Sequence, residues 1–563
     1  MLTKIIESIL NSKFLKFLVY LITLAMFAGA IWMIPAELVK AKMLPGKDSN
    51  TFSVYVDLPK GTSLKKTKEI TECITDILQK EEEIISSSVF LSEGLPLDFA
   101  GMVKGSAMKM EQNEAEIMVN IKKKEERKEA SFELVHRIRP ILQKNCSKYG
   151  ANIKLIELPA GPPTLADIVA EIYGGKSFES RRTFAKKVAE VFHHQKTLVD
   201  IDVLADEDTW EYALELNKNK IIESGITLEQ VKKVLYSAFE GAVIGVINSA
   251  NAESQIPLFL RLGKSRILND KDELKSIMEK LANLKLMNPN GLRIPALKFI
   301  KVVKQPEAPS ITSKNLHPMI NVIATADEES QIYPLLDARD EMMTTFTKEY
   351  EVTPGKFLNL HFKDKKTGEE FDLVWDGELK VTIDTFIDLG IAFIGALVLI
   401  YLLMVVYYKR FALAGAILMA SFLSLIGVIV AHYVMDLYTK HTFYLTATSL
   451  IGYIGLIGIN ARNSLLIVDF SKQLMEEKHY SANKAIAVAT ATRAKPILLT
   501  VLAIVFASSL LATDAVFGGL GVALIGGTLF AYLTSLFFLP CSIQNSMKKI
   551  EKEEILTPKK EEE

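Results

Sequence analysis

Residues 386–541 are long apolar runs with most of the charge gathered between them, and that stretch limits the possible fold more than any other feature of the chain. A helix needs about 20 apolar residues to cross a hydrocarbon core of about 30 Å, where no water satisfies the backbone. Five runs of that kind fit the stretch, at roughly 389–407, 411–434, 443–470, 496–512 and 516–539. A sixth, at roughly 17–34, ends at Pro35. Its apolar run is longer than a typical secretory signal core and PAELVK is a poor cleavage site, so it reads as a retained anchor. The sequence therefore predicts an α+β membrane protein with six transmembrane helices, one and then five, and a large polar domain between them.

Basic residues set the orientation. Lys13 and Lys16 precede the first span, Lys409 and Arg410 join the second to the third, Lys472, Lys478, Lys484, Arg493 and Lys495 join the fourth to the fifth, and Lys548 and Lys549 follow the sixth. All fall on one side, which the positive-inside tendency makes cytoplasmic, so residues 38–385 lie outside. With 66 basic and 67 acidic side chains the chain has no global attraction for nucleic acid, and its 49% hydrophobic content argues against extended disorder. The cysteines, Cys73, Cys146 and Cys541, are too few for a disulfide scaffold or zinc knuckle. Free structural thiols are expected, with a Cys73–Cys146 bridge left open should the outer part lie in an oxidising compartment.

Within the outer part, TFSVYVDLP alternates as a half-buried strand does and SLKKTKEITECITDILQK follows at helical spacing. AEIMVNIKK, SFELVHRIRPILQKN and ANIKLIEL continue the pattern, ADIVAEIYG with SRRTFAKKVAEVFHH opens a second round, and MINVIATAD with YPLLDARDEMMTTFTKEY closes it. These are βα units of two split βαβ sandwiches with antiparallel sheets, interrupted by an inserted subdomain. YGGKS at 173–177 fails as a phosphate loop, because Ala170 occupies the first glycine position. Histidine spacing offers no metal ligands. Met102, Met108 and Met110 admit soft-metal binding, but flexible loop or cleft lining is the expected role.

The fourth span, LTATSLIGYIGLIGINARNSLLIVDF, places Gly452, Gly455, Ile459 and Arg462 at three- and four-residue steps. Arginine near the middle of a membrane helix costs about 2.5–3.5 kcal/mol, so Arg462 is expected to face the bundle interior and meet an acid. The alternative is snorkelling, over the roughly 12 Å that eight residues span. In TRAKPILLTVLAI, Pro496 is expected to start the fifth helix, with Arg493 and Thr500 two turns apart on one face. Arg493 reads equally as part of a polar path or as a positive-inside anchor.

GINARNSLLIVDF, and RAKPILLT about thirty residues on, resemble the matching helices of the resistance-nodulation-division (RND) exporters, hydrophobe and amphiphile efflux branch. AKMLPGKDSNTFSVYVDLPKGTSLKKT and YGANIKLIELPAGPPTLADIVAEIYG resemble segments of that family's C-terminal half. The resemblance covers about 15–541. It implies residues 1–37 as N-terminus and first span, 38–163 as one ferredoxin-like porter subdomain, 164–204 with 306–385 as a second, 205–305 as a docking-type insert, 386–541 as helices two to six, and 542–563 as a charged cytoplasmic tail. It implies a proton relay of Arg462, in place of the family's lysine, with Asn463, Arg493 and Thr500. Phe90 and Phe99, bracketing the Gly94–Gly101 loop, fall near the aromatics of the family's drug cleft, with Met102 grouped beside them as substrate-binding and core packing the alternative for Phe90. No cofactor beyond the proton gradient and no metal is implied.

The family relay also needs an adjacent acidic pair, and no such pair lies within these spans. The economical expectation is a split transporter whose complementary N-terminal half supplies the acids. Threefold assembly, a periplasmic adaptor, an outer-membrane channel, contact with membrane lipid, and hydrophobic or amphiphilic cargo follow from the same resemblance, as does an inner-membrane location with the large domain in the periplasm. Two other readings compete: a protein-export helper like SecD and SecF, and a non-transporting membrane-anchored binding or remnant protein.

Overall fold

The computed structural model describes residues 1–46, 48–96, 99–158, 161–252, 255–263, 273–327 and 330–556. Helix α1 (Leu2–Asn11) is amphipathic and buries Ile6 and Leu10, four residues apart. Ser12 then caps α2 (Lys13–Trp32), the first apolar span, by accepting the Leu15 amide.

The first α/β subdomain runs β1 (Thr51–Asp57), α3 (Leu64–Leu78), β2 (Ile84–Leu91), α4 (Phe99–Lys104), β3 (Glu114–Ile121), α5 (Ser131–Cys146) and β4 (Asn152–Glu157). Its sheet has the order β2-β3-β1-β4 with every pairing antiparallel. Alternation turns Phe52, Val54 and Val56 inward, where they meet Ile70, Ile74 and Leu78 of α3 and Leu134, Ile138 and Leu142 of α5. Cys73 and Cys146 are joined by a disulfide that ties α3 to α5, so the expected free thiols are corrected to a bridge. The helical stripes place both cysteines against the same core, which spacing along the chain does not reveal. Cys541 is free and buried.

The second subdomain begins with β5 (Ile168–Gly174), α6 (Phe178–His194) and β6 (Leu198–Leu204). Gly174 and Gly175 sit at φ +82° and +69°, and a Cβ on Gly174 would stand 2.2 Å from the Glu370 carbonyl. The paired glycines of YGGKS therefore serve a tight strand-to-helix turn, and Ser177 caps α6.

Residues Asp206–Ser310 form a compact unit of their own, with β7 (Trp210–Leu216), α7 (Lys218–Glu223), α8 (Leu228–Phe239), β8 (Ala242–Ile247), β9 (Ile256–Leu260), α9 (Glu273–Asn283), β10 (Lys285–Met287), β11 (Arg293–Pro295) and β12 (Ile300–Pro306). The unit runs past residue 305 because β12 pairs with β7 through Pro306 and the Ser310 amide donates to Asp206.

The second subdomain resumes with β13 (Ser313–Lys314), β14 (His317–Pro318), β15 (Ile320–Ala326), α10 (Ile332–Thr345), β16 (Tyr350–Pro354), β17 (Leu360–Asp364) and β18 (Glu370–Asp376). Its sheet runs β16-β17-β18-β5-β15-β6. Phe184 of α6 stacks on Phe371 at 4.5 Å within this core.

Five apolar spans follow: α11 (Glu378–Tyr408), α12 (Phe411–Phe422) continued by α13 (Leu425–Tyr438), α14 (Ala447–Lys478), α15 (Ala482–Leu511), and α16 (Gly518–Leu533) continued through a π turn by α17 (Leu539–Leu556). With α2, six helices among the described residues are long and apolar enough to cross a membrane. Close approach of α13 and α16 depends on Gly427 and Gly526, because a Cβ on either would meet the other's carbonyl at 2.2–2.3 Å. Pro496 lies inside α15 rather than at its start. The alanine-rich segment ANKAIAVATATRAK has strong helix propensity, and it extends α15 back to Ala482.

Candidate functional site

Two places concentrate polar chemistry: the middle of α14, and a cavity between the two α/β subdomains. On α14 the faces divide sharply. Gly452, Tyr453, Leu456, Ile457, Asn460 and Asn463 are buried, whereas Ile451, Gly455, Gly458, Arg462 and Leu466 are exposed. Arg462 therefore leaves this chain's own bundle, which corrects the expected interior position. The correction is geometric: ten residues at 100° each turn Gly452 about 80° away from Arg462, while Gly455 and Gly458 stay within about 40° of it. Gly452 packs on Leu520, and a Cβ on Gly455 or Gly458 would meet nothing within 4 Å. Among the described residues no carboxylate pairs with Arg462.

The other residues expected in the relay divide between the buried and the exposed faces. Asn463 points inward. Arg493 of α15 lies over the Phe470 ring at 4.8 Å, a cation–π contact that pins α15 to α14. Thr500 is exposed beside Leu499 and Phe506, with its hydroxyl donated to the Pro496 and Ile497 carbonyls at 2.9 Å each. Arg462 and Thr500 thus both lie on surfaces that this chain does not cover, while Asn463 is buried behind them and Arg493 holds α15 to α14. Asp469 is engaged elsewhere, accepting the Tyr408 hydroxyl at 2.9 Å and the Tyr407 hydroxyl at 3.3 Å.

The cavity has a volume of about 360 Å³. Its wall includes Lys42, Lys104, Glu157, Asp167, Asp327 and Glu378. Lys104 donates to the Leu165 carbonyl at 3.3 Å, and Asp167 accepts the Ala326 amide at 2.9 Å. Burial pushes the Glu157 carboxyl up to about 7, against the pull of Arg139 and with the push of Asp327 and Asp167. No group of three His, Cys, Asp or Glu among the described residues is arranged to hold a metal. Sequence reading missed this cavity, although Glu157 and Asp167 flank the PAGPPT segment and Glu378 stands at the head of α11.

Beside the cavity the two subdomains are fastened by a buried ionic seam. Arg139 of α5 reaches Asp327 at 2.7 Å and Asp200 at 3.4 Å, and Lys154 of β4 reaches Asp202 at 2.6 Å and Asp57 at 2.9 Å. His136 adds a 2.6 Å contact to Asp327. Asp200 is held at φ +52°, where its carboxylate accepts the Leu155 amide at 3.1 Å.

Of the expected cleft residues, Phe90 is half-buried on β2 opposite Glu116, and Met102 is exposed on α4. Neither lines the cavity. The Phe99 side chain lies outside the described residues.

The chain matches the AcrB/AcrD/AcrF family over residues 2–543. It belongs to this family of RND exporters. Relatives include the multidrug export protein AcrF of Escherichia coli strain K12, 22% identical over 556 residues, with 96% of this chain and 48% of AcrF covered. The swarming motility protein SwrC of Bacillus subtilis strain 168 is 22% identical over 540 residues, covering 93% and 45% respectively. A crystal structure of a heavy metal efflux pump shares the fold at a TM-score of 0.72 and 15% identity, covering 97% of this chain and 52% of that one. The chain thus spans about half the length of the family relatives it matches.

Proposed function

We propose that this chain is the C-terminal-type half of a proton-driven exporter of hydrophobic or amphiphilic compounds, working with a complementary half in the inner membrane. The observation that carries the reading is Arg462, a fixed cation in the middle of an apolar span on a face that this chain leaves bare. A guanidinium there needs an acid from outside the six helices. Protonation of that acid releases Arg462 and deprotonation recaptures it, so α14 alternates between two positions as protons cross. The proton gradient takes the place of any bound cofactor. The α/β subdomains act as the periplasmic porter and Asp206–Ser310 as the docking unit. A threefold assembly with an adaptor protein and an outer-membrane channel completes the route.

Arg462→Ala should abolish proton-coupled efflux of a lipophilic dye from energised vesicles while assembly persists. Arg462→Lys should retain much of it, because a compact ammonium still pairs with a carboxylate although it lacks the planar fork. Wild-type efflux by the alanine variant, normalised to assembled complex, would show that Arg462 merely snorkels.

A further inference from the structure

The outer end of α14 is attached to the α/β part by contacts that the exporter reading does not use. The Leu445 amide donates to the Lys40 carbonyl at 2.8 Å, the Lys42 amide to the Leu445 carbonyl at 3.2 Å, and the Ala447 amide to the Met43 carbonyl at 3.0 Å. The next residues, Leu44, Pro45 and Gly46, line the cavity. Just before α14, Lys440 reaches Glu133 of α5 at 2.8 Å, His441 Nε2 lies 3.6 Å from the same oxygen, and the His441 ring meets Phe132 edge-on at 4.9 Å. Glu133 is preorganised for this, since its other oxygen accepts the Ala130 amide at 2.8 Å. Partial burial pushes its carboxyl up, but Lys440, the Ala130 amide and His441 together hold it below the usual range. The loop is itself stiff: Asp436 accepts the Phe443 amide at 2.6 Å, and Thr439 donates to the His441 carbonyl at 2.8 Å. His432 of α13 meets Ser449 in the first turn of α14 at 2.8 Å.

We propose that the loop joining α13 to α14 is the mechanical link between proton movement at Arg462 and the shape of the cavity, with Glu133 and Lys440 as its positioning residues. An α-helix transmits displacement along its axis, and Arg462 stands fifteen residues, about 22 Å, from Ala447. Movement of α14 therefore reaches residues 40–46 through the backbone ladder and α5 through Glu133. From α5 it continues through Arg139 to Asp327 on the opposite cavity wall. The inference rests on the exporter reading for the source of the movement.

The test uses the assembled complex in proteoliposomes, with an environment-sensitive fluorophore on Leu158→Cys in the cavity wall and proton uptake recorded in parallel. An imposed proton gradient should shift the fluorescence. Glu133→Gln with Lys440→Gln should reduce that shift roughly fivefold or more, the range of ordinary site-to-site coupling, and leave proton uptake unchanged. Lys440 is exposed and a glutamine at position 133 can still accept the Ala130 amide, so the variant should fold normally. Lys440→Gln alone should likewise reduce the shift while Lys440→Arg, which keeps the cation opposite Glu133, should retain it, a contrast that a merely structural role would not require. A wild-type shift in the neutralised pair, or loss of the shift in Lys440→Arg, would overturn the link. Arg462→Ala separates the two claims: if it leaves the shift intact while the neutralised pair loses it, the link stands and the proton-arginine reading falls.

Discussion

Arg462 and Glu157 present the same desolvation problem with different solutions. Arginine cannot shed its proton, so Arg462 must find a partner, whereas Glu157 can take up a proton and stay neutral in the cavity wall. The sign of the effect on stability follows. Between the ordinary glutamate range and about 7 the folded chain binds more protons at Glu157 than the unfolded chain does, so stability falls as pH rises through that window. Glu157→Gln should remove this dependence, stabilising the protein by about 3 kcal/mol at pH 8 and little at pH 4. Thermal denaturation of the detergent-solubilised protein at the two pH values checks it, and parallel curves for variant and wild type would refute it. Arg462 was legible in the sequence because a lone charge in an apolar run stands out. Glu157 was not, since Asp167 and Asp327 are brought to it only by the docking of two subdomains, and Arg139 only by the packing of α5 on β4. The same holds for the Cys73–Cys146 bridge, which depends on how α3 lies against α5.

Periodicity served the strands and helices of the α/β part well because each has one wet face. TFSVYVDLP falls on β1 and the helical stripe of SFELVHRIRPILQKN on α5. Apolar spans lack that contrast, so their inward faces could not be told from composition, and Gly452 was grouped with Arg462 although it faces α16. Glycine in these helices has two distinct uses that the structure separates. Gly427→Ala should push α13 from α16 and destabilise the fold by about 1–3 kcal/mol, as overpacking does elsewhere. Gly458→Ala should be neutral or mildly stabilising in this chain, since its Cβ meets nothing and alanine is the better helix former. Denaturation midpoints of the two purified variants decide between a packing role and a passive one for each position.

At the scale of the whole molecule, the order of one long apolar helix, a polar domain and five more such runs could be read from the distribution of charge and apolar residues, while the strand order β2-β3-β1-β4 needed the structure. What charge distribution left open is which membrane surface meets lipid and which meets protein. The surface carrying Gly455, Gly458 and Arg462 on α14, and the one carrying Leu499, Thr500 and Phe506 on α15, are both exposed. Lipid is a poor cover for the first, because a mid-helix arginine facing hydrocarbon is disfavoured by about 2.5–3.5 kcal/mol on insertion scales. The smooth glycine surface beside it suits close approach of another helix. A complementary six-span half carrying intramembrane carboxylates should therefore cover it, and a photo-crosslinker at Gly458 should trap that half in native membranes. A crosslinker at Val406 of α11, which is 75% exposed, supplies the comparison. If the Gly458 position instead captures only lipid and is quenched by a membrane-soluble quencher as strongly as Val406, the surface is lipid-facing and the exporter-half reading fails.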